Sequence, residues 1–255
     1  MNRIVKFVVL DIVRNKIVLV YTLLLSALSW GVFSVEDNSA KGVLSLLNLM
    51  LLNVPLVSVV FSTIYIYNSS EFIELLLSQP IKRAKIWRSL FFGLQSSLIL
   101  AFLVGAGIPI LVFAPLKIAL MMLVTGSLLT AVFASLAFLG SIYTRDKAKG
   151  IGMAILLWLF FALLFDGLIL FVLFQFSDYP IESVMVVMSA MSPIDISRIL
   201  ILLQMDVSAM MGYTGAIFKS FFGTDYGIAI TFLILLLWVF IPFGLSMKKF
   251  KSKDL

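Results

Sequence analysis

The stretch EFIELLLSQPIKRAKIWR, residues 71–88, decides how this chain folds. It lies between two long apolar runs, opens on two acids and closes on four bases. A charge at the centre of a membrane helix costs about 3 kcal/mol on insertion scales, so the stretch is not read as a span. Yet Phe72, Ile73, Leu75, Leu76 and Leu77 are too apolar for a solvated loop. Helical spacing places Phe72, Leu75 and Leu76 on one face, with Ile73 and Leu77 beside it. Glu71 and Glu74 suit a first turn, near the positive end of the helix dipole. Gln79-Pro80 stops the helix, because the residue before proline avoids helical backbone. The prediction is a short amphipathic helix within 69–83 that hangs out of the bilayer. Lys82, Arg83, Lys85 and Arg88 form the basic collar at re-entry. Acids on such a helix would face an anionic leaflet, so a protein surface is preferred to lipid as its contact.

The rest of the chain agrees with a membrane setting. Of 255 residues, 62% are hydrophobic and 13% charged, against roughly 25% charged in soluble domains. Mean hydropathy is +1.15. The first apolar run is broken by Asp11 and no small-residue cleavage site follows, which predicts no cleavable signal. A spanning helix needs about 20 mostly apolar residues. Six segments qualify: 17–34, 43–67, 89–113, 118–142, 151–176 and 228–247. With no repeat or low-complexity linker, 1–255 reads as a single all-α, polytopic membrane domain.

Lys and Arg orient it. With the N-terminus in the cytoplasm, only Lys41, Lys117, Arg198 and Lys219 of the 19 bases fall outside. Both termini are thus placed in the cytoplasm. The bases sit in short clusters beside spans, so the net charge of +6 predicts lipid contact and no nucleic-acid partner.

Residues 177–227 form an extracytoplasmic segment between spans five and six. Its stretch IESVMVVMSAMSPIDISRILILLQM, 181–205, is nearly long enough to span, but Asp195 and Arg198 lie near its middle and Pro193 breaks it. Two short apolar helices, about 182–191 and 194–211, are predicted, joined at Ser192-Pro193, on or dipping into the outer surface. Met185, Met188 and Met191 recur along one helical face. Thioethers take Cu(I), and they also pack apolar surfaces adaptably. The segment's acids, Asp178, Glu182, Asp195, Asp206 and Asp225, with its apolar residues, suit a docked partner.

At the other end, residues 1–16 place Ile4, Phe7, Val8 and Ile12 on one helical face and Arg3, Lys6, Asp11 and Arg14 largely on another. That predicts an interfacial helix along the inner leaflet, with the fringe of a long first span as the alternative. Gly126, Thr130 and Ala134 give span four a stripe of small residues, suited to close packing within the chain or between two copies. Gly105 and Gly107, before Pro109, predict an irregularity in span three.

Catalytic chemistry has little to work with. Cysteine and histidine are both absent, which removes disulfides, zinc sites and the commonest general base. A polytopic membrane enzyme therefore lacks an assembled catalytic set. No G-x-x-x-x-G-K-[ST] motif is present, so the chain is read as binding no nucleotide or other cofactor itself. Asp166 is the one carboxylate well inside a span. Charge there marks a functional candidate, or else a protonated or hydrogen-bonded carboxyl of the bundle interior.

Six spans, an N-terminal surface helix and no ATPase of its own resemble the ABC-2 type permeases, with their type V exporter-like fold. The resemblance is sharpest in the opening stretch, where that family has an acid, a leucine-rich helix, a proline, an arginine and a later base. Here these are Glu71, then Leu75, Leu76 and Leu77, then Pro80, Arg83 and Arg88. Phe72-Ile73 stands where the family usually has Gly-Thr. The resemblance implies that this is a coupling helix, including Phe72 and Glu74, seated in a groove of an ATPase subunit. The patches LFDGLIL, 164–170, and SPIDISRIL, 192–200, further resemble the permeases of nitrous oxide reductase maturation systems, the NosY type. That implies a homodimer in the bacterial inner membrane, a cytoplasmic ABC ATPase carrying the ATP and Mg²⁺, and a periplasmic accessory protein on a platform shaped by Pro193, Asp195 and Arg198. It implies a role in supplying a copper or sulfur species, or an ATP-driven motion, to the reductase's copper–sulfur centre. Within the broad family, an exporter of lipid, peptide or drug is the other reading.

Overall fold

The computed structural model describes residues 2–36, 38–176, 182–205 and 224–252, and these form helices and short connections with no strand among them. Helix α1 covers Asn2–Val13, α2 Lys16–Val35, α3 Ser39–Asn68 and α4 Ser70–Leu77. A long α5 runs over Arg83–Phe113, α6 over Leu116–Tyr143 and α7 over Lys147–Gln175. Two short helices, α8 (Glu182–Ala190) and α9 (Pro193–Gln204), precede α10, Asp225–Ser252. The six helices α2, α3, α5, α6, α7 and α10 are long and apolar enough to cross a membrane. They are the six predicted spans. The largest difference in bounds is at α5, which begins at Arg83 and so takes the basic collar into its first turns.

Local chemistry explains the breaks. Asn15 ends the continuity between α1 and α2: its side chain accepts the Ile17 N–H at 2.9 Å, capping α2. The N-terminal helix is therefore separate from the first span, not its fringe. Asn38 caps α3 in the same way. Asp146 caps α7 through the Lys149 N–H at 2.8 Å. Residues 103–107 of α5 form a π turn at the predicted irregularity. A Cβ on Gly105 would lie 2.8 Å from the Thr22 carbonyl oxygen, so glycine lets α2 cross closely there. A second π turn, Phe160–Leu164, lies in α7 just before Asp166. Such turns are rare and gather at functional sites.

Span α6 is the hub, packed against α3, α5, α9 and α10. Its small-residue stripe is consumed inside the chain: Gly126, Thr130 and Ala134 are buried, and the Phe102 ring of α5 lies directly over Gly126. Of the two uses open to that stripe, packing within the chain is the one observed. Spans α2, α7 and α10 are peripheral and expose broad apolar faces. The indole of Trp158 ties α7 to α3 by donating to the Leu52 carbonyl at 3.0 Å, beside the internal Pro55. Both described ends of the chain meet at one end of the bundle, where Arg83 donates to the Lys251 carbonyl and Phe7 stacks on Phe72. The base-rich connections gather there, so it is called the basic end and its opposite the far end.

Candidate functional site

At the basic end, α4 forms only two turns. Ser78 begins the turn that Gln79-Pro80 completes, and Arg83 and Arg88 lie on α5, so the predicted helix of 69–83 is shorter than its range. The structure divides the apolar residues differently from the predicted single face. Ile73 and Leu76 are buried in the main core, and Phe72 stacks on Phe7 of α1 with centroids 5.1 Å apart. Leu77 is half-buried against the same core. Glu71, Glu74, Leu75 and Pro80 are exposed. Thus α4 is rooted in the bundle on one side, and on the other presents two acids flanking one leucine. This is an acidic, apolar spot on an otherwise basic end.

Beside that spot opens a cleft of about 300 Å³ whose walls include Tyr67, Ile73, Glu74, Trp87, Arg145 and Phe250. Its floor is stiff. Trp87 is buried, stacks on Phe250 at 4.3 Å, and donates from its indole to Ser246 at 3.0 Å. The Tyr67 hydroxyl meets the Thr144 side chain at 2.6 Å, and Gly150 leaves room for the Tyr67 ring. These contacts join α3, α5, α6, α7 and α10 around the base of α4. Of these cleft residues, Ile73 and Glu74 belong to the helix predicted from the sequence, whereas Tyr67, Trp87 and Phe250 were not singled out from it. The one hint is Phe250, a lone aromatic inside the basic run KKFKSK.

Nearer the far end, the structure joins two patches that the sequence shows 32 residues apart. Arg198 donates through Nη1 to both oxygens of Asp166, at 2.8 and 3.0 Å, and reaches Asp195 Oδ1 at 3.5 Å. Asp166 therefore has a basic partner, which its position in an apolar span concealed. Asp166 and Arg198 are each about one-third exposed, at 33% and 30% of their side-chain surface. Asp195 is only 4% exposed. Burial pushes its carboxyl up to about 7, the neighbouring Asp166 adds to this, and the Ser192 contact and Arg198 pull the other way.

The same joint shapes the far-end segment. Ser192 caps α9 by accepting the Asp195 N–H at 3.2 Å, with Pro193 in the first turn. The α8–α9 pair bends by 111° at this break, so it does not form a seventh straight span. Helix α9 is shorter than the predicted 194–211, ending at Gln204, and residues 177–181 and 206–223 of the segment lie outside the described residues. Pro193, Ile194, Asp195 and Ile196 are buried, because α9 packs among α3, α6 and α10: of the two predicted placements, dipping inward rather than lying on the surface is the one observed. Pro193 and Asp195 thus shape the segment from within and do not themselves offer a docking surface. Met185 is buried, Met188 half-buried and Met191 exposed, so the three thioethers present no common open face. Packing accounts for Met185.

Comparison with known proteins agrees with this architecture. Residues 49–255 match the family model described as ABC-2 family transporter protein. The chain is also 30% identical over 223 residues to the probable ABC transporter permease protein NosY of Pseudomonas aeruginosa, covering 79% of this chain and 81% of that relative. A multi-pass bundle of six apolar helices with this match is a transport protein and not a catalytic one: the chain belongs to the ABC-2 family of transporter proteins.

Proposed function

We propose that this chain is the permease subunit of an ABC transporter whose ATPase is a separate polypeptide, and that α4 is the helix through which the two are coupled. The observation that carries the reading is the two-sided character of α4. Its inner side, Ile73 and Leu76, is embedded in the bundle, while Glu71, Glu74 and Leu75 face outward. A push on the exposed side is delivered to α3 and α5, which flank α4 and continue through the hydrophobic layer. The basic end is then cytoplasmic, as the positive-inside rule requires. ATP and Mg²⁺ reside in the partner. Two copies of the chain form the working unit in the bacterial inner membrane, and the far-end segment engages a periplasmic accessory protein.

The role we assign is maturation of nitrous oxide reductase, on the strength of the likeness to the NosY permease and of the Asp166, Asp195 and Arg198 patches. Tagged chain, expressed with its neighbouring genes, is expected to co-purify with an ABC ATPase. A strain lacking the chain is expected to make reductase without its copper–sulfur centre. Retention of an ATPase together with a normal reductase would keep the permease assignment and reject the maturation role. Failure to retain any ATPase would reject both.

A further inference from the structure

We propose that Asp166, Asp195 and Arg198 form a binding site for one exchangeable proton, held by Asp195, that locks helix α9 against span α7. The argument begins with a charge count. Two carboxyls share one guanidinium, through the same Nη1 atom. With both ionised, the cluster carries an uncompensated negative charge where α9 is packed among spans. Burying such a charge is unfavourable, whereas a single proton makes the cluster neutral.

The geometry places that proton. Arg198 gives Asp166 its two short contacts and Asp195 one long one. Asp195 Oδ2 is buried and has no hydrogen-bond partner. An ionised oxygen in that position would be an orphaned acceptor. A protonated carboxyl is instead a donor, and Asp166 is the neighbouring acceptor that acts on Asp195 through a hydrogen bond. Among the described residues, the groups acting on Asp195 are Asp166 from α7, and Arg198 and Ser192 at its own helix. Helix α8 and spans α3, α6 and α10 also pack on α9, and among the described residues none of them adds a charged group that acts on Asp195. The elevated Asp195 carboxyl, at about 7, puts release of the proton near neutrality. Release leaves like charges facing each other across the α7–α9 contact, beside the π turn of α7. The site thus links α9 to proton activity, independently of any ATPase.

The test uses the full-length protein in lipid nanodiscs and infrared difference spectra between acid and alkaline pH. The wild type is expected to lose one protonated-carboxyl C=O band with a midpoint near 7. That band is expected to vanish in Asp195→Asn. In Asp166→Asn the guanidinium is left to a single carboxylate, so the midpoint is expected to fall by at least a unit. A spin-label pair at Gly167→Cys and Met191→Cys reports the joint, since the chain has no native cysteine, Gly167 has open space around it, and Met191 is exposed. Its distance distribution is expected to broaden across the same pH range, and not to do so with Asp195→Asn. Absence of a titrating band, persistence of the band in Asp195→Asn, or an unchanged midpoint in Asp166→Asn would each overturn the assignment. Should Asp195→Asn fail to fold, the Asp166→Asn midpoint decides.

Discussion

Leu75 and Leu76 are neighbours in the chain and opposites in environment: Leu75 is 66% exposed at the tip of α4, while Leu76 is 8% exposed in the main core. A single substitution at each separates what α4 does from what holds it. Leu75→Asp adds a charge to an exposed face and is expected to leave stability within about 0.5 kcal/mol. It is also expected to abolish capture of the ATPase. Leu76→Asp places an unpaired charge in the core and is expected to cost about 3–5 kcal/mol, lowering yield and melting temperature together. Pull-down and thermal melts on both variants check this. Full ATPase capture by Leu75→Asp would remove α4 from the coupling role.

The seat of α1 depends on one missing side chain. A Cβ at Gly93 would come within 2.5 Å of Val8 Cγ1 and 3.4 Å of the Val5 carbonyl oxygen. Gly93→Leu is therefore expected to lift α1 from α5, at about 1–3 kcal/mol for the overpacking. The loss should propagate to the Phe7–Phe72 stack and so to α4. Maleimide labelling reads this directly: a Val8→Cys thiol is protected in the parent and expected to become reactive with Gly93→Leu. Gly152→Leu, where nothing lies within 4 Å, is the control and is expected to change neither labelling nor stability.

At the far end, the Arg198 guanidinium holds two carboxyls from two helices. Arg198→Gln leaves both without a cation and is expected to destabilise the protein by about 1–3 kcal/mol, toward the lower end because Asp166 and Arg198 are one-third exposed. Asp166→Asn in that background is expected to restore part of the loss. A double-mutant cycle on the two sites should then give a coupling of at least about 0.5 kcal/mol. Strictly additive losses would show that the pair contributes nothing of its own.

These sites differ in how far the sequence discloses them. Spans are legible because apolar length and charge position are local properties. The stop at Gln79-Pro80 and the break at Ser192-Pro193 are legible because proline restricts its own neighbourhood. The two fates of Leu75 and Leu76 are not, because helical spacing fixes which residues share a face and leaves open which face the bundle covers. Nor is the Asp166–Arg198 pair, since an ion pair 32 residues apart leaves no periodic trace. The burial of α9 has the same cause: its charged residues argue for the surface until a partner on α7 is seen to receive them.

Proton linkage gives the last prediction. The Asp195 carboxyl lies at about 7 in the folded protein, above its ordinary value of 3.8. Between those values the folded state binds a proton that the unfolded chain releases. The stabilisation is therefore complete below about pH 4, declines as pH rises through 7, and is absent at higher pH. At its steepest the decline is about 1.4 kcal/mol per pH unit, the slope of a single proton. Thermal melts of the detergent-solubilised protein from pH 5 to 9 are expected to show the midpoint falling up to about pH 7 and then levelling. Asp195→Asn, which cannot ionise, is expected to remove that fall while retaining the midpoint seen at acid pH. A parallel decline in wild type and Asp195→Asn would assign the pH dependence to other groups.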